Sequence, residues 1–143
     1  MRLPPTRFLA MLCAPALALS LTACAQTVST SGLKGESKGA AETIKDLQSN
    51  VTSGDQKKIC KDDLASAVVK RLQASPGGCQ QAIKEQLTEI SALELTVRSV
   101  QLGGMPAART ATARVKSIYS GKKKESTISL VKEGGKWRIS SFS

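Results

Sequence analysis

The chain has 143 residues and a net charge of +10, from 21 Lys and Arg against 11 Asp and Glu, with no histidine. That length holds one domain at most. The lack of histidine removes the commonest general base and metal ligand, and a single Trp and a single Tyr are too few for the stacked aromatics that single-stranded nucleic acid requires.

The first segment is a targeting signal in outline. Arg2 and Arg7 precede an uncharged run over residues 8–23, which is interrupted by Pro15 and falls short of the roughly 20 apolar residues a spanning helix needs. A basic start, an apolar middle and small residues at the end are the marks of a cleaved signal peptide, residues 1–23. The run closes on Leu21, Thr22, Ala23 and Cys24, which resemble the lipobox of bacterial lipoproteins. That resemblance implies a diacylglyceryl group on the Cys24 sulfur, palmitate-class chains, and cleavage that leaves Cys24 as the first mature residue. Two acyl chains suffice for stable anchoring, so the expected location is the extracytoplasmic face of a cell membrane.

Loss of residues 1–23 would take away two arginines and no acid. Lys plus Arg then falls from 21 to 19 against 11 acids, leaving +8. Such a charge suits anionic lipid head groups or acidic wall polymers, and export argues against nucleic acid as a partner. Residues 24–39 are rich in Ser, Thr and Gly and read as a tether with a reach of roughly 20 Å. The domain is expected over residues 40–143.

Within it, Ile44, Leu47 and Val51 recur at helical spacing and stop at Ser53-Gly54-Asp55. Cys60, Leu64, Val68 and Leu72 predict a second helix ending at residues 75–78, and Cys79, Ile83, Leu87 and Ile90 a third. The period then changes to two. Leu93, Leu95 and Val97 alternate with polar residues, and the parity slips at Val100 and Leu102, which predicts a bulge between Arg98 and Val100. Turns at 103–106, 120–123 and 133–136 separate strands through Ala113 and Val115, Ile128 and Leu130, and Trp137 and Ile139. Three helices before a four-stranded antiparallel meander make the class α+β.

Processing reduces four cysteines to one pair, because Cys13 leaves with the signal and Cys24 is taken by lipid. In an oxidising compartment Cys60 and Cys79 then predict a disulfide between two helices. A redox site would need a close C-x-x-C pair and a zinc site further ligands, so no metal or cofactor is expected.

This order of elements, with the final Leu-Val-Lys-Glu-Gly-Gly-Lys-Trp-Arg-Ile hairpin at 130–139, is similar to the nuclear-transport-factor-two-like lipoproteins of high-GC Gram-positive bacteria. The resemblance implies a curved sheet wrapped on its helices as an open, cystatin-like cone that in some relatives holds a small molecule or an active site. It carries over no catalytic residue, since the inward strand positions are expected to be Leu, Val, Ala, Ile and Trp. Tyr119 and Trp137 are the two candidates for a ligand pocket, and packing is the competing role for each. The basic run at 121–126 reads as a solvated hairpin guarding an edge strand, and Asp62 and Asp63 as acids in a helix's first turn.

Function is expected to be that of a non-enzymatic binding or accessory module of the cell envelope. An isomerase- or hydratase-like enzyme on the same scaffold would need a buried acid or base, and a pocketless structural lipoprotein would need no cavity. The anchor has a direct check. Cys24→Ser is expected to leave an unprocessed or released form without lipid label in the native host, and unchanged processing and membrane association would refute the lipobox reading.

Overall fold

A computed structural model describes residues 30 and 32–143, except 89, 91, 92, 106, 108 and 120. The signal segment, Cys13 and the lipobox with Cys24 lie outside the described residues. Helix α1 spans Gly35–Ser53, so the fold begins before the expected residue 40. Its extra turn is held from outside: the Glu36 carboxylate accepts hydrogen bonds from Lys132 and from the Trp137 indole, across more than ninety residues of sequence. Ala40, Ala41, Ile44 and Leu47 form its buried stripe. The helix stops where expected, because Gly54 takes the left-handed conformation at φ 67° and its N–H caps the carbonyls of Asn50 and Val51.

The chain turns at once into a short helix, α2, over Gln56–Lys58, whose Lys58 N–H donates to the Asp55 side chain at 3.0 Å. It runs on as a π-helical turn, Ile59–Asp63. The expected second helix is therefore divided. Leu64 and Ala65 are extended, with ψ near 144° and 147°, and helix α3 restarts over Ser66–Gln73. The cause is the sheet, which competes for this backbone. Leu64 makes an isolated parallel bridge to Ile139, and the Ala65 N–H donates to the Ile139 carbonyl at 2.8 Å. The new helix start is then capped in trans, as the Glu133 carboxylate accepts from the Ser66 N–H and hydroxyl at 3.0 and 2.9 Å. Helix α4 follows over Gly78–Leu87 with Cys79 and Ile83 buried.

Four strands complete the fold: β1 Leu93–Gly103, β2 Thr110–Tyr119, β3 Lys122–Glu133 and β4 Lys136–Phe142. They form an antiparallel meander in the order β1-β2-β3-β4 that does not close. The expected bulge is present: the register shifts between Val97 and Ser99, which restores Val100 and Leu102 to the same face as Leu95 and Val97. A second shift, opposite Ser129 and Leu130, lies in β4. It leaves Ser140 unpaired and returns Phe142 to the face that carries Ile139. Its trace in the sequence is the parity of Phe142, three residues after Ile139. Bulges add bend and twist, and both of these lie in edge strands.

The helix-facing side of the sheet carries Leu95, Val97, Ala111, Ala113, Val115, Ile128, Leu130, Trp137 and Ile139, all buried. Helix α1 lies over it, packing on β1, β4 and β2. Both sheet edges are occupied along part of their length, β4 by Leu64 and Ala65, and β1 by Gln48, whose Oε1 accepts from the Leu95 N–H at 3.0 Å. The lysines at 122–124 lie on the β2–β3 hairpin beyond the end of β4, where β3 is paired on the β2 side alone, so they stand on an open stretch of edge as expected.

Cys60 and Cys79 are joined, with Cα atoms 6.2 Å apart. The bond links the π-helical turn to the first turn of α4. Closing a loop of 19 residues contributes about 3 kcal/mol by restricting the unfolded chain. The double variant Cys60→Ser/Cys79→Ser is expected to lose about that amount in urea unfolding, and an unchanged midpoint would show that the bond leaves the unfolded ensemble unconstrained.

Candidate functional site

The sheet's inner face changes character along its length. On β2 the row Ala111, Ala113 and Val115 continues to Ser117, and on β3 the row Leu130 and Ile128 continues to Ser126 and Lys124. The first members of each row are buried and the last are half-buried or exposed. At the polar end of these rows the helices stand off the sheet and leave a cavity of about 360 Å³. Its volume falls at the lower end of the roughly 300–1,000 Å³ typical of small-molecule sites.

The wall is apolar. Leu95, Val115 and Ile128 supply the sheet side, Leu47 and Val51 come from the end of α1, Ile59 and Leu64 from the π turn and its extended exit, and Ile83 and Leu87 from α4. The rim is polar, with Gln86, Ser117, Ser126 and Lys124. Phe142 stands at the mouth, 57% exposed. Among the described lining residues, Lys124 is the one ionisable side chain and there is no Asp or Glu. The arrangement can take up an apolar group and orient a polar end at the rim.

Trp137 is at the other end of the domain. It is buried, with its indole N–H on Glu36 Oε2 at 2.9 Å and Lys132 Nζ 5.8 Å from the ring centre. It fits there because α1 has Gly39 opposite; a Cβ at that position would meet Trp137 Cδ1 at 3.1 Å. Trp137 therefore does not line the cavity. The hydrogen bond from Lys132 holds the Glu36 carboxyl below the usual range, the Trp137 N–H adds to it, and partial burial opposes it. Tyr119 ends β2, and its side chain lies outside the described residues.

Sequence reasoning missed one buried acid. Asp63 is 2% exposed and accepts from Asn50 Nδ2 at 2.8 Å. It was expected in a helix's first turn, but the helical segment starts earlier, at Gln56, and Asp63 closes it against α1. Burial pushes its carboxyl up to about 6, assisted by the charges of Asp46 and Asp62 and opposed by the Asn50 hydrogen bond and Arg138. Asp63 does not border the cavity, so it ties α1 to the π turn rather than serving a ligand. Among the described residues, no three His, Cys, Asp or Glu side chains gather as metal ligands would, and no helix is long and apolar enough to cross a membrane.

No family model matches this sequence, and no curated protein matches it. Among solved structures the chain is similar to an NTF2-like protein of unknown function from Shewanella baltica OS155. The TM-score is 0.49 at 16% identity, over 73% of this chain and 87% of that one. It is also similar to a multiply substituted chain named Rd1NTF2_05, with a TM-score of 0.47 at 15% identity, over 73% of this chain and 94% of that one.

The raised Asp63 value has a definite pH signature. Below about pH 4 the group is protonated both folded and unfolded; between about pH 4 and 6 only the unfolded chain ionises, so stability falls as pH rises. A shift from 3.8 to about 6 corresponds to about 3 kcal/mol at neutral pH. Asp63→Asn is expected to lack this loss, so the stability difference between variant and native protein should move toward the variant from pH 4 to 7. A difference that stays flat across that interval would show that Asp63 titrates normally.

Proposed function

We propose that this chain is a lipid-anchored, extracytoplasmic binding module of a bacterial envelope, and that its cavity takes a small apolar ligand without transforming it. The single observation that carries the binding role is the cavity: about 360 Å³ with apolar walls, a polar rim, and no Asp or Glu side chain among the described lining residues. The buried carboxyl that an enzyme would need exists in Asp63, but it faces Asn50 rather than the cavity.

The anchoring part rests on the sequence at residues 1–24, with attachment at Cys24. The Cys60–Cys79 bond supports an oxidising compartment, which suits an exported protein. The basic surface favours residence near anionic head groups or wall polymers. The resemblance of the domain to nuclear-transport-factor-two-like lipoproteins of high-GC Gram-positive bacteria belongs to the same proposal.

Nile red, an uncharged apolar dye, tests the cavity. It is expected to bind saturably at one site per chain with a blue-shifted emission. Ser126→Trp places a large side chain on a half-buried wall position and is expected to abolish that binding while leaving the melting temperature within a few degrees. Saturable binding that persists in Ser126→Trp would place the dye elsewhere and remove the support for this reading.

A further inference from the structure

The inference drawn here rests on the binding role just proposed and names the ligand's chemistry. We infer that the cavity holds a single-chain amphiphile with an anionic head, its alkyl tail between α4 and the sheet and its head at Lys124.

The tail follows from the walls. Ile59, Leu64, Ile83 and Leu87 face Leu95, Val115 and Ile128 across the cavity, and a molecule lying between them would touch hydrocarbon on both sides. Such a site excludes groups that need hydrogen bonds along their length, because burying an unpaired polar group is costly. A sugar or a nucleotide would have no partner there, while an alkyl chain needs none.

The head follows from the rim. Ser126 and Gln86 can donate hydrogen bonds, the Ser117 hydroxyl is held by the Lys124 carbonyl at 3.2 Å, and Lys124 adds a positive charge. Lys122 lies two residues before Lys124 on the same strand face and is exposed with it at the hairpin. No Asp or Glu side chain among the described lining residues offsets these charges. Glu125 alternates to the opposite face, as strand geometry requires. Charge complementarity therefore selects a carboxylate or a phosphate over a neutral or cationic head. Phe142, exposed at the mouth, extends the apolar surface to where a tail would enter.

The test uses the full chain with Cys13→Ser and Cys24→Ser, refolded oxidatively so that only Cys60 and Cys79 can pair. Equilibrium dialysis below the micellar range compares dodecanoate, dodecyl phosphate and dodecanol, with butyrate and inorganic phosphate as tail-less controls. The two anionic amphiphiles are expected to bind one per chain, several-fold more tightly than dodecanol, and the tail-less anions not at all. Lys124→Glu should weaken both anionic amphiphiles roughly tenfold, by loss of a partly screened pair and gain of a like charge, while dodecanol binding stays unchanged. A preference for carboxylate over phosphate, or the reverse, identifies the class of head. If dodecanol and Nile red bind as well as the anions and Lys124→Glu changes nothing, the anionic head is wrong and the apolar binding role stands. If neither the amphiphiles nor Nile red bind, the binding role itself fails.

Discussion

The pairing of Leu64 and Ala65 with the main chain of Ile139 is the constraint on which the helical layer depends. It removes two residues from what periodicity alone would make a continuous helix, and it fixes the π turn on one side and α3 on the other. Ile59 and Leu64 are thereby set into the core at 2% and 5% exposure. The cost of breaking a helix is offset locally, because the Ala65 N–H finds a sheet carbonyl and the Ser66 N–H finds the Glu133 carboxylate. The N–H groups of Leu64, Ala65 and Ser66 thus each find an acceptor across the break.

The cavity is a consequence of that arrangement. Helix α4 packs chiefly on α3 and on the α2 segment rather than on the sheet, and the Cys60–Cys79 bond ties its first turn to the π turn. A helix held from one side in this way can stand over the sheet without closing on it. The disulfide thus contributes to the position of the cavity wall as well as to stability. A purely apolar inner face would favour collapse of this gap; the change from Val115 to Ser117 and from Ile128 to Ser126 and Lys124 lowers the gain from closing it.

Most of the architecture was legible in the sequence, because period-two and helical patterns report which face is buried. The bulge after Val97 could be read from the parity of Val100 and Leu102, since both flanking segments are apolar on alternate positions. The division of the second helix could not. Leu64 is apolar and on the helical face, and nothing local distinguishes a leucine used in a helix from one bridged to Ile139, seventy-five residues away. The cavity rim escaped for a related reason: Ser117, Ser126 and Lys124 occupy inner-face positions but are polar, so a pattern search for the core passes over them and reads Lys124 with its neighbours as a solvated run. Asp63 was misplaced because the helix start was assigned to Cys60 rather than to the Asp55 cap. Trp137 was correctly expected to alternate with Ile139, but its partner Glu36 fell in residues assigned to the tether.

The two ends of the domain divide its physical tasks. At one end the Glu36 carboxylate gathers Lys132 and the Trp137 N–H, and Gly39 lets the indole lie against α1, so the start of the helix is locked to β3 and β4. At the other, about 17 to 22 Å further along the helix, Leu47 and Val51 form part of an open wall. The Glu36 contacts that fix the start of α1 are thus remote from the cavity, while the Gln48 bond to the Leu95 N–H holds its far end beside the wall. A ligand at the open end meets hydrocarbon, hydroxyls, an amide and one lysine, and it leaves the Glu36 contacts undisturbed. Separation of the lock from the opening is what allows so small a domain to keep a cavity and still be folded when the cavity is empty.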